Sequence, residues 1–368
     1  MLFRSSRFCH ILKSQRNKIN NLENINVVLL EEYGYQKNVG VQRVLSHHKF
    51  CENFKQFLLN QSTKFDVVYS AYPLIKTNNI LGKYKYQLDY KLIIDVQDIW
   101  PESIFGPIPW LSNSIGKLAL TPLIQYANHA YAQADGLVAV SDTYMKRADV
   151  NQLAEDKKAV VFIGADRLFF NHQKLKHDKL VAVYIGTMAG SYDLETVVKA
   201  AAQCQSTVKV IFIGTGPDEQ KLKELNTKLG KPVEFRGTFP YKQAMQYVSQ
   251  CDVAINPICS TAQQSITNKL SDYFCCGLPI ISCQENEEVQ CLLAKGGGFN
   301  YQAGDADDLA DKLQQLAQSL KISEEIKEVA EQDKKAQKEH HHGIAPRAQL
   351  QCLERQKHDD QGHAGIAA

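Results

Sequence analysis

The sequence alternates short apolar runs with longer amphipathic stretches along most of its length. Runs of roughly four to eight β-branched and aromatic residues are typical of buried strands, and apolar residues at helical spacing indicate helices. This alternation of strands and helices predicts a parallel β-sheet covered by helices. In the second half, strands are predicted in residues 180–187, 208–216, 233–239, 252–258 and 279–283. Helices are predicted at Leu194–Gln203, Gln220–Lys228, Tyr241–Ser249, Thr267–Cys276 and Asp307–Leu320.

The first half of the sequence also alternates apolar runs with amphipathic stretches, but its opening segment does not fit this pattern. Strands are predicted at Asn26–Leu30, Val67–Tyr69, Leu92–Asp95, Gly136–Val140 and Ala159–Ile163. Helices are predicted near Phe8–Asn17, Phe50–Asn60 and Ser112–Ala134. The opening segment RSSRFCHILKSQRNK is basic and helix-like. We therefore expect the usual first strand of such a domain, which ends in a glycine turn, to be missing.

These patterns predict an α/β protein of two doubly wound, Rossmann-like domains that face each other across a cleft. We expect the first domain in residues 1–166, a charged linker in 167–179 and the second domain in 180–320. Residues 321–368 contain no aromatic residue and no sustained apolar stripe, which is typical of a polar tail. Doubly wound sheets bind ligands beyond the carboxyl ends of their strands, so the site is expected in the cleft.

Composition and charge narrow the class of protein. The chain has 368 residues, of which 44% are hydrophobic and 22% charged, as in globular proteins. A net charge of +2 argues against a nucleic-acid binder. Residues 1–90 nevertheless carry 13 Lys/Arg against 6 Asp/Glu. This excess fits either an ordinary solvated surface or a face that meets an anionic partner such as a lipid phosphate or a membrane surface.

The ten cysteines form no C-x-x-C pair, and several lie inside apolar runs. A zinc site is therefore disfavoured, and a reducing cytoplasm fits best. The one Asp-x-Asp sequence that follows a strand, Asp305-Ala306-Asp307, stands at a predicted helix start. Acidic residues there complement the helix dipole, so we favour capping over metal binding.

Glycines end two of the predicted strands, at Gly186 and at Gly214–Gly216. A glycine turn lets the backbone approach a ligand, although it is also an ordinary connection between a strand and a helix. A dinucleotide fingerprint would need a third glycine where Glu219 stands, so a nicotinamide cofactor is disfavoured.

The strongest local signal is SITNKLSDYFCCGLPIIS, residues 265–282. A polar loop follows a strand, and a helix begins near Thr267 and ends at Gly277. The helix begins at the carboxyl edge of the sheet, where its free N–H groups and its dipole favour a phosphate. The groups in question belong to Ile266, Thr267 and Asn268.

Two charged side chains of this helix share one face. Lys269 can supply a positive charge to the phosphates, and Asp272, three residues later, can accept hydrogen bonds from ribose hydroxyls. The alternative is a capped helix on which Lys269 and Asp272 are merely exposed to solvent.

In the first half, KLIIDVQDIWPES (91–103) leads a buried strand directly into polar residues. Side chains at the carboxyl end of such a strand often face a site, which makes Asp98 and Glu102 candidates for catalysis. The alternative is that Asp98 caps the next turn and Trp100 fills the core.

Four segments together give the chain a resemblance to the family 4 glycosyltransferases of the GT-B fold that assemble bacterial polysaccharides. The resemblance covers roughly residues 5–320. Its most specific parts are LIIDVQDIWPES, ADGLVAVSDTYMKRA (134–148), IGAD (163–166) and TNKLSDYFCCGLPII.

The resemblance implies a role for each matching position. Gly186 and Thr187 would lie near the diphosphate of a nucleoside-diphosphate sugar, with Gly214 and Gly216 in the neighbouring turn. The loop Arg236–Tyr241 would lie near the base, Ser265, Ile266, Thr267, Asn268 and Lys269 would hold the phosphates, and Asp272 would replace the family's ribose-binding glutamate. Gln264 stands where the family usually has a second glutamate, and Gln97 or Asp98 stands near the place of a common histidine.

The implied function is transfer of a sugar from a UDP- or GDP-type donor to a glycan or lipid-linked acceptor, with retention of anomeric configuration. The implied enzyme needs no metal and no cofactor, binds no nucleic acid, and works in the cytoplasm or at the inner face of the cell membrane. Asp98 would orient the acceptor or help to remove its proton, with Glu102 a second candidate. The alternatives are a non-catalytic or truncated relative that binds nucleotide-sugar, and a sugar-nucleotide 2-epimerase.

Overall fold

The computed structural model describes residues 2–6, 8–9, 14–15, 26–36, 40–102, 114–165, 175–258 and 266–320. The chain divides into two compact units. The first comprises Met1–Ile163 with Gln263–Ile266, and the second comprises Gly164–Ala262 with Thr267–Ala368. In the described part of the chain, no helix is both long and apolar enough to cross a membrane.

The described part of the first unit contains a four-stranded parallel sheet and two sheets of two strands each. The strands of this unit are β1 (Leu2–Ser6), β2 (Phe8–Cys9), β3 (Ser14–Gln15), β4 (Asn26–Leu30), β5 (Val67–Tyr72), β6 (Lys91–Val96), β7 (Gly136–Ala139) and β8 (Lys158–Val160). Its described helices are α1 (Val41–Leu59), α2 (Ile75–Leu88), α3 (Ser114–Ala132) and α4 (Asp142–Ala148). The sheet order is β5-β6-β7-β8, while β1 pairs with β4 and β2 with β3 in separate small sheets. Leu92, Ile94 and Val96 of β6 are fully buried at the centre of its core.

The secondary structure at the beginning of the chain differs from the expected helix. Leu2–Ser6 forms a strand that pairs in parallel with Asn26–Leu30 in a separate two-stranded sheet, although no glycine turn follows it in the sequence. Within the range expected to be a helix, Phe8–Asn17, the described residues Phe8–Cys9 and Ser14–Gln15 are antiparallel strands, so that prediction is wrong. Strand pairing depends on partners elsewhere in the chain, and a short apolar run does not reveal them.

The second unit is built on a six-stranded parallel sheet. Its strands are β9 (Leu180–Ile185), β10 (Val208–Ile213), β11 (Val233–Phe235), β12 (Val253–Asn256), β13 (Ile280–Ser282) and β14 (Phe299–Asn300). Its helices are α5 (Leu194–Gln203), α6 (Glu219–Lys228), α7 (Tyr241–Val248), α8 (Asn268–Cys275), α9 (Glu287–Gly296) and α10 (306–320). The strands and helices predicted in this half are confirmed, and β14 and α9 are additional.

The order of the second sheet locates a place for a ligand. The strands run β11-β10-β9-β12-β13-β14, so the direction of winding reverses between β9 and β12. Parallel sheets with this order bind ligands outside the carboxyl ends of the two strands at the reversal. Gly186 follows β9 directly, and α8 is the first described helix after β12. Gly186 and the start of α8 therefore lie beside the switch point.

Candidate functional site

Three turns at the carboxyl edge of the second sheet are packed backbone to backbone. Gly186, with φ +148°, donates its N–H to the carbonyl of Ile213 at 2.9 Å. Gly214, with φ +129°, donates its N–H to the carbonyl of Gly237 at 2.7 Å. A Cβ added at Gly214 would lie 2.9 Å from the carbonyl carbon of Gly186. These glycines allow the turns after β9, β10 and β11 to meet at one edge.

Gly214→Ala is expected to lower the free energy of unfolding by about 2–3 kcal/mol, because the new Cβ meets backbone and the backbone angle is strained. Gly230→Ala is the matched control. Gly230 also has a positive φ, of +83°, but nothing lies within 4 Å of its added Cβ. It should cost only about 1 kcal/mol. Urea denaturation of both variants checks this, and equal losses would contradict close packing at Gly214.

The start of α8 is left without a side-chain cap. Thr267 precedes the helix in an extended conformation, and its side chain makes no capping hydrogen bond. Its Oγ1 is buried and has no hydrogen-bond partner among the described residues. By contrast, Asp193 caps α5 and Asn286 caps α9. An uncapped helix start beside an unpartnered hydroxyl has the donors that an anion requires.

Lys269, in the first turn of α8, reaches back to the glycine turn. A Cβ added at Gly186 would lie 2.7 Å from Lys269 Nζ. The same Nζ lies 3.4 Å from the centroid of the Tyr192 ring and 5.2 Å from that of Tyr184. Burial lowers the pKa of the ammonium group to about 7, and no described carboxylate offsets this effect. The lysine is thus held by two aromatic rings without an acidic partner.

Asp272 lies on the next turn of α8 and is buried, with 9% of its surface exposed. Its Oδ1 accepts a hydrogen bond of 2.5 Å from the hydroxyl of Tyr241, the first residue of α7. Burial raises the pKa of the Asp272 carboxyl, and the hydrogen bond from Tyr241 opposes that rise. In the described part of the chain, Tyr241 is the hydrogen-bond partner of this carboxylate. The sequence alone does not indicate that Tyr241 contacts Asp272, nor that tyrosine rings contact Lys269.

The other residues predicted for the donor site lie in different surroundings. The carbonyl of Thr187 accepts a 2.8 Å hydrogen bond from Tyr184, beside the Gly186 turn. Gly216 is packed against Met188, whose backbone nitrogen would lie 2.6 Å from an added Cβ. Asn268 is exposed at the start of α8. Ile266 is buried and is grouped with the first unit, while Ser265 and Gln264 lie outside the described residues.

The two candidate catalytic carboxylates belong to the first unit, and their surroundings differ. Asp98 is half-buried just after β6. Glu102 accepts a hydrogen bond of 2.5 Å from Nε of Arg147 in α4. The same guanidinium donates to Asn128 Oδ1 at 2.8 Å. This ion pair gives Glu102 a cationic partner within the first unit, which the sequence alone does not indicate, since Arg147 is 45 residues further along the chain.

The Asp-x-Asp sequence caps a helix. Asp305 Oδ1 accepts hydrogen bonds of 3.0 Å from the backbone N–H groups of both Asp307 and Asp308, at the start of α10. This confirms the capping interpretation. Within the ranges that the structure describes, no three His, Cys, Asp or Glu residues cluster closely enough to hold a metal ion.

Comparison with known proteins shows which families and folds this chain is similar to. Residues 179–319 match the family model for Glycosyl transferases group 1. Among solved structures, HepE of Anabaena in complex with UDP is similar, with a TM-score of 0.56 and 17% identity over 80% of this chain and 77% of that chain. The lipopolysaccharide outer core galactosyltransferase WaaB has a TM-score of 0.55 and 17% identity over 81% and 76% of the two chains. WaaG, a glycosyltransferase involved in lipopolysaccharide biosynthesis, has a TM-score of 0.56 and 11% identity over 82% and 80%. No curated protein matches the sequence.

The α/β fold with its parallel sheets is therefore of the GT-B type. The match to the Glycosyl transferases group 1 model lies almost entirely in the second unit, which contains the glycine turns and α8.

Proposed function

We propose that the second unit binds a nucleoside-diphosphate sugar at the switch point between β9 and β12, and that the enzyme transfers the sugar with retention of configuration. The acceptor we propose is a glycan or lipid-linked glycan of a surface polysaccharide. We place the enzyme in the cytoplasm, where the basic excess in residues 1–90 would favour contact with the inner face of the membrane.

One observation carries the donor site: Lys269 is half-buried with no acidic partner in the described part of the chain, beside the uncapped start of α8. A desolvated lysine without a counter-ion destabilises a folded protein, so a ligand that restores the missing negative charge is the simplest reason for its presence. A diphosphate at this helix start would meet the N–H groups of the first turn of α8 and the hydroxyl of Thr267. It would also meet the charge of Lys269.

The same groups account for the chemistry. Cleavage of the bond between the anomeric carbon and the diphosphate leaves a cation-like sugar and adds negative charge to the leaving group. The start of α8 and Lys269 would stabilise that charge, an electrostatic contribution that is often the largest in catalysis. The acceptor hydroxyl would attack from the side of the leaving group and lose its proton as the new bond forms. Asp98 would orient this hydroxyl or help to remove its proton.

UDP is the first nucleotide to test, because HepE was solved in complex with UDP and with UDP-glucose. A thermal-shift screen of UDP, GDP, ADP and their sugars against the full chain should identify one base. At a hundred times the dissociation constant, the ligand should stabilise the protein by about 2.7 kcal/mol.

Lys269→Ala and Asp272→Ala should each lower the affinity for the nucleotide by at least about tenfold, and the thermal shift should be smaller as a result. Lys223→Ala is the control, since Lys223 lies on α6 in an exposed ion pair of 2.6 Å with Glu219. Unchanged responses in both α8 variants, or no response of the unmodified protein to any nucleotide, would refute the donor site.

A further inference from the structure

The hydrogen bond between Tyr241 and Asp272 joins two helices at the carboxyl edge of the second sheet. Tyr241 begins α7 and Asp272 lies in the second turn of α8, 31 residues later. Tyr241 is 45% exposed as a whole residue, whereas Asp272 is buried. The tyrosine therefore stands between solvent and a buried carboxylate, on the side of α8 that also carries Lys269.

The carboxylate makes an incomplete set of hydrogen bonds. Oδ1 of Asp272 accepts from Tyr241, and Oδ2 has no hydrogen-bond partner among the described residues. An ionised carboxylate can accept several hydrogen bonds, so capacity is left for a ligand. A pair of adjacent hydroxyls, such as the ribose diol of a nucleotide, matches a carboxylate whose position is fixed.

We propose that Tyr241 is a positioning residue for the donor. Its hydroxyl fixes the orientation of the Asp272 carboxylate, which then accepts hydrogen bonds from the ribose hydroxyls of the donor. The enzyme thereby distinguishes ribonucleotide from deoxyribonucleotide sugars. This inference rests on the proposed function, because it assumes that a nucleoside-diphosphate sugar binds at α8. It adds a residue and a selectivity that the donor site alone does not require.

Two effects of the tyrosine support this role. A hydrogen bond to one oxygen restricts rotation of the carboxylate, so the other lone pairs keep a fixed direction. The bond also favours the ionised form of a carboxyl whose pKa burial raises. Loss of the hydroxyl would leave Asp272 free to turn and easier to protonate, and a protonated carboxyl accepts fewer hydrogen bonds from a diol.

The test compares Tyr241→Phe with Tyr247→Phe, which removes a hydroxyl from the same helix. Tyr247 contacts Arg236 through its ring and makes no described hydrogen bond through its hydroxyl. Titration calorimetry with UDP-glucose and its 2′-deoxyribose analogue, or with the sugars of the base that the screen identifies, gives the ratio of the two affinities. We expect Tyr241→Phe to weaken binding of the ribonucleotide sugar about tenfold and to leave the deoxy analogue almost unchanged. In turnover assays KM for the donor should rise, with kcat nearly preserved.

The outcomes separate this inference from the proposed function. If Lys269→Ala abolishes binding while Tyr241→Phe keeps the unmodified ratio, the donor site stands and the role of Tyr241 is overturned. Equal losses for both analogues in Tyr241→Phe would also overturn it, because a general structural effect does not discriminate between sugars. If neither analogue binds to the unmodified protein, or Lys269→Ala binds normally, the proposed function fails and this inference fails with it.

Discussion

Lys269→Met is expected to make the ligand-free protein more stable at pH 7 and to weaken nucleotide-sugar binding by about a hundredfold. The pKa of Lys269 falls from 10.5 to about 7 on burial. One pKa unit corresponds to about 1.4 kcal/mol, so carrying the charge in the folded state costs several kcal/mol. Methionine has a similar apolar stem and needs no water or counter-ion. The weaker binding expected of the Lys269→Met variant follows from the missing positive charge at the diphosphate.

The gain in stability should depend on pH with a definite sign. Between pH 10.5 and 7 the unfolded chain binds a proton at Lys269 that the folded protein does not yet bind. The unmodified protein should therefore lose stability, relative to Lys269→Met, as the pH is lowered through this window. Below pH 7 the difference should be constant. Urea denaturation at pH 7 and pH 9 measures it, with Lys223→Met as an exposed control.

The affinity for the nucleotide-sugar should depend on pH in the opposite direction to the stability, and should fall as the pH is raised. A bound diphosphate favours the ammonium form, so above pH 7 the protein must take up a proton when it binds. The affinity should fall by up to about tenfold per pH unit between pH 7 and 9. Lys269→Arg should remove this dependence, because a guanidinium stays charged throughout. A flat profile in the unmodified protein would contradict a role for Lys269 at the diphosphate.

The sequence was informative where the chemistry is local in the chain. Strands such as Leu180–Ile185 are continuous apolar runs because both faces of a parallel sheet are covered. Lys269 and Asp272 are three residues apart on one helix, so their common face follows from helical geometry alone. The contact between Lys269 and the Tyr192 ring, and that between Asp272 and Tyr241, depend instead on how distant turns pack. No pattern within either segment could predict them.

The first unit shows the same limit in its secondary structure. The helix Ile75–Leu88 contains Asn78, Asn79 and Gly82, which are poor helix formers, and the sequence did not predict it. Packing explains it: a Cβ added at Gly82 would lie 2.6 Å from Cβ of Gln133, so the glycine permits close contact with the end of α3. Tertiary contacts here outweigh intrinsic propensity.

Arg147→Met is expected to lower the free energy of unfolding by about 3–5 kcal/mol, the usual cost of breaking a buried ion pair. The Glu102 side chain is only 17% exposed and would lose its cationic partner. Asn128 would lose the donor to its side-chain oxygen as well. Lys146→Met, the neighbouring exposed position on α4, should change stability by less than about 0.5 kcal/mol. Urea denaturation of the full chain measures both.

The double variant Glu102→Met/Arg147→Met should recover most of the loss, because it removes both charges and leaves apolar side chains of similar size. This cycle also decides what Glu102 does. If the carboxylate only balances Arg147, the double variant should keep turnover close to that of the unmodified enzyme wherever it is folded. If Glu102 contacts the reacting groups, turnover should fall by about a hundredfold or more in the double variant despite its recovered stability. The ion pair with Arg147 favours the first result and leaves Asp98 as the carboxylate proposed to act on the acceptor.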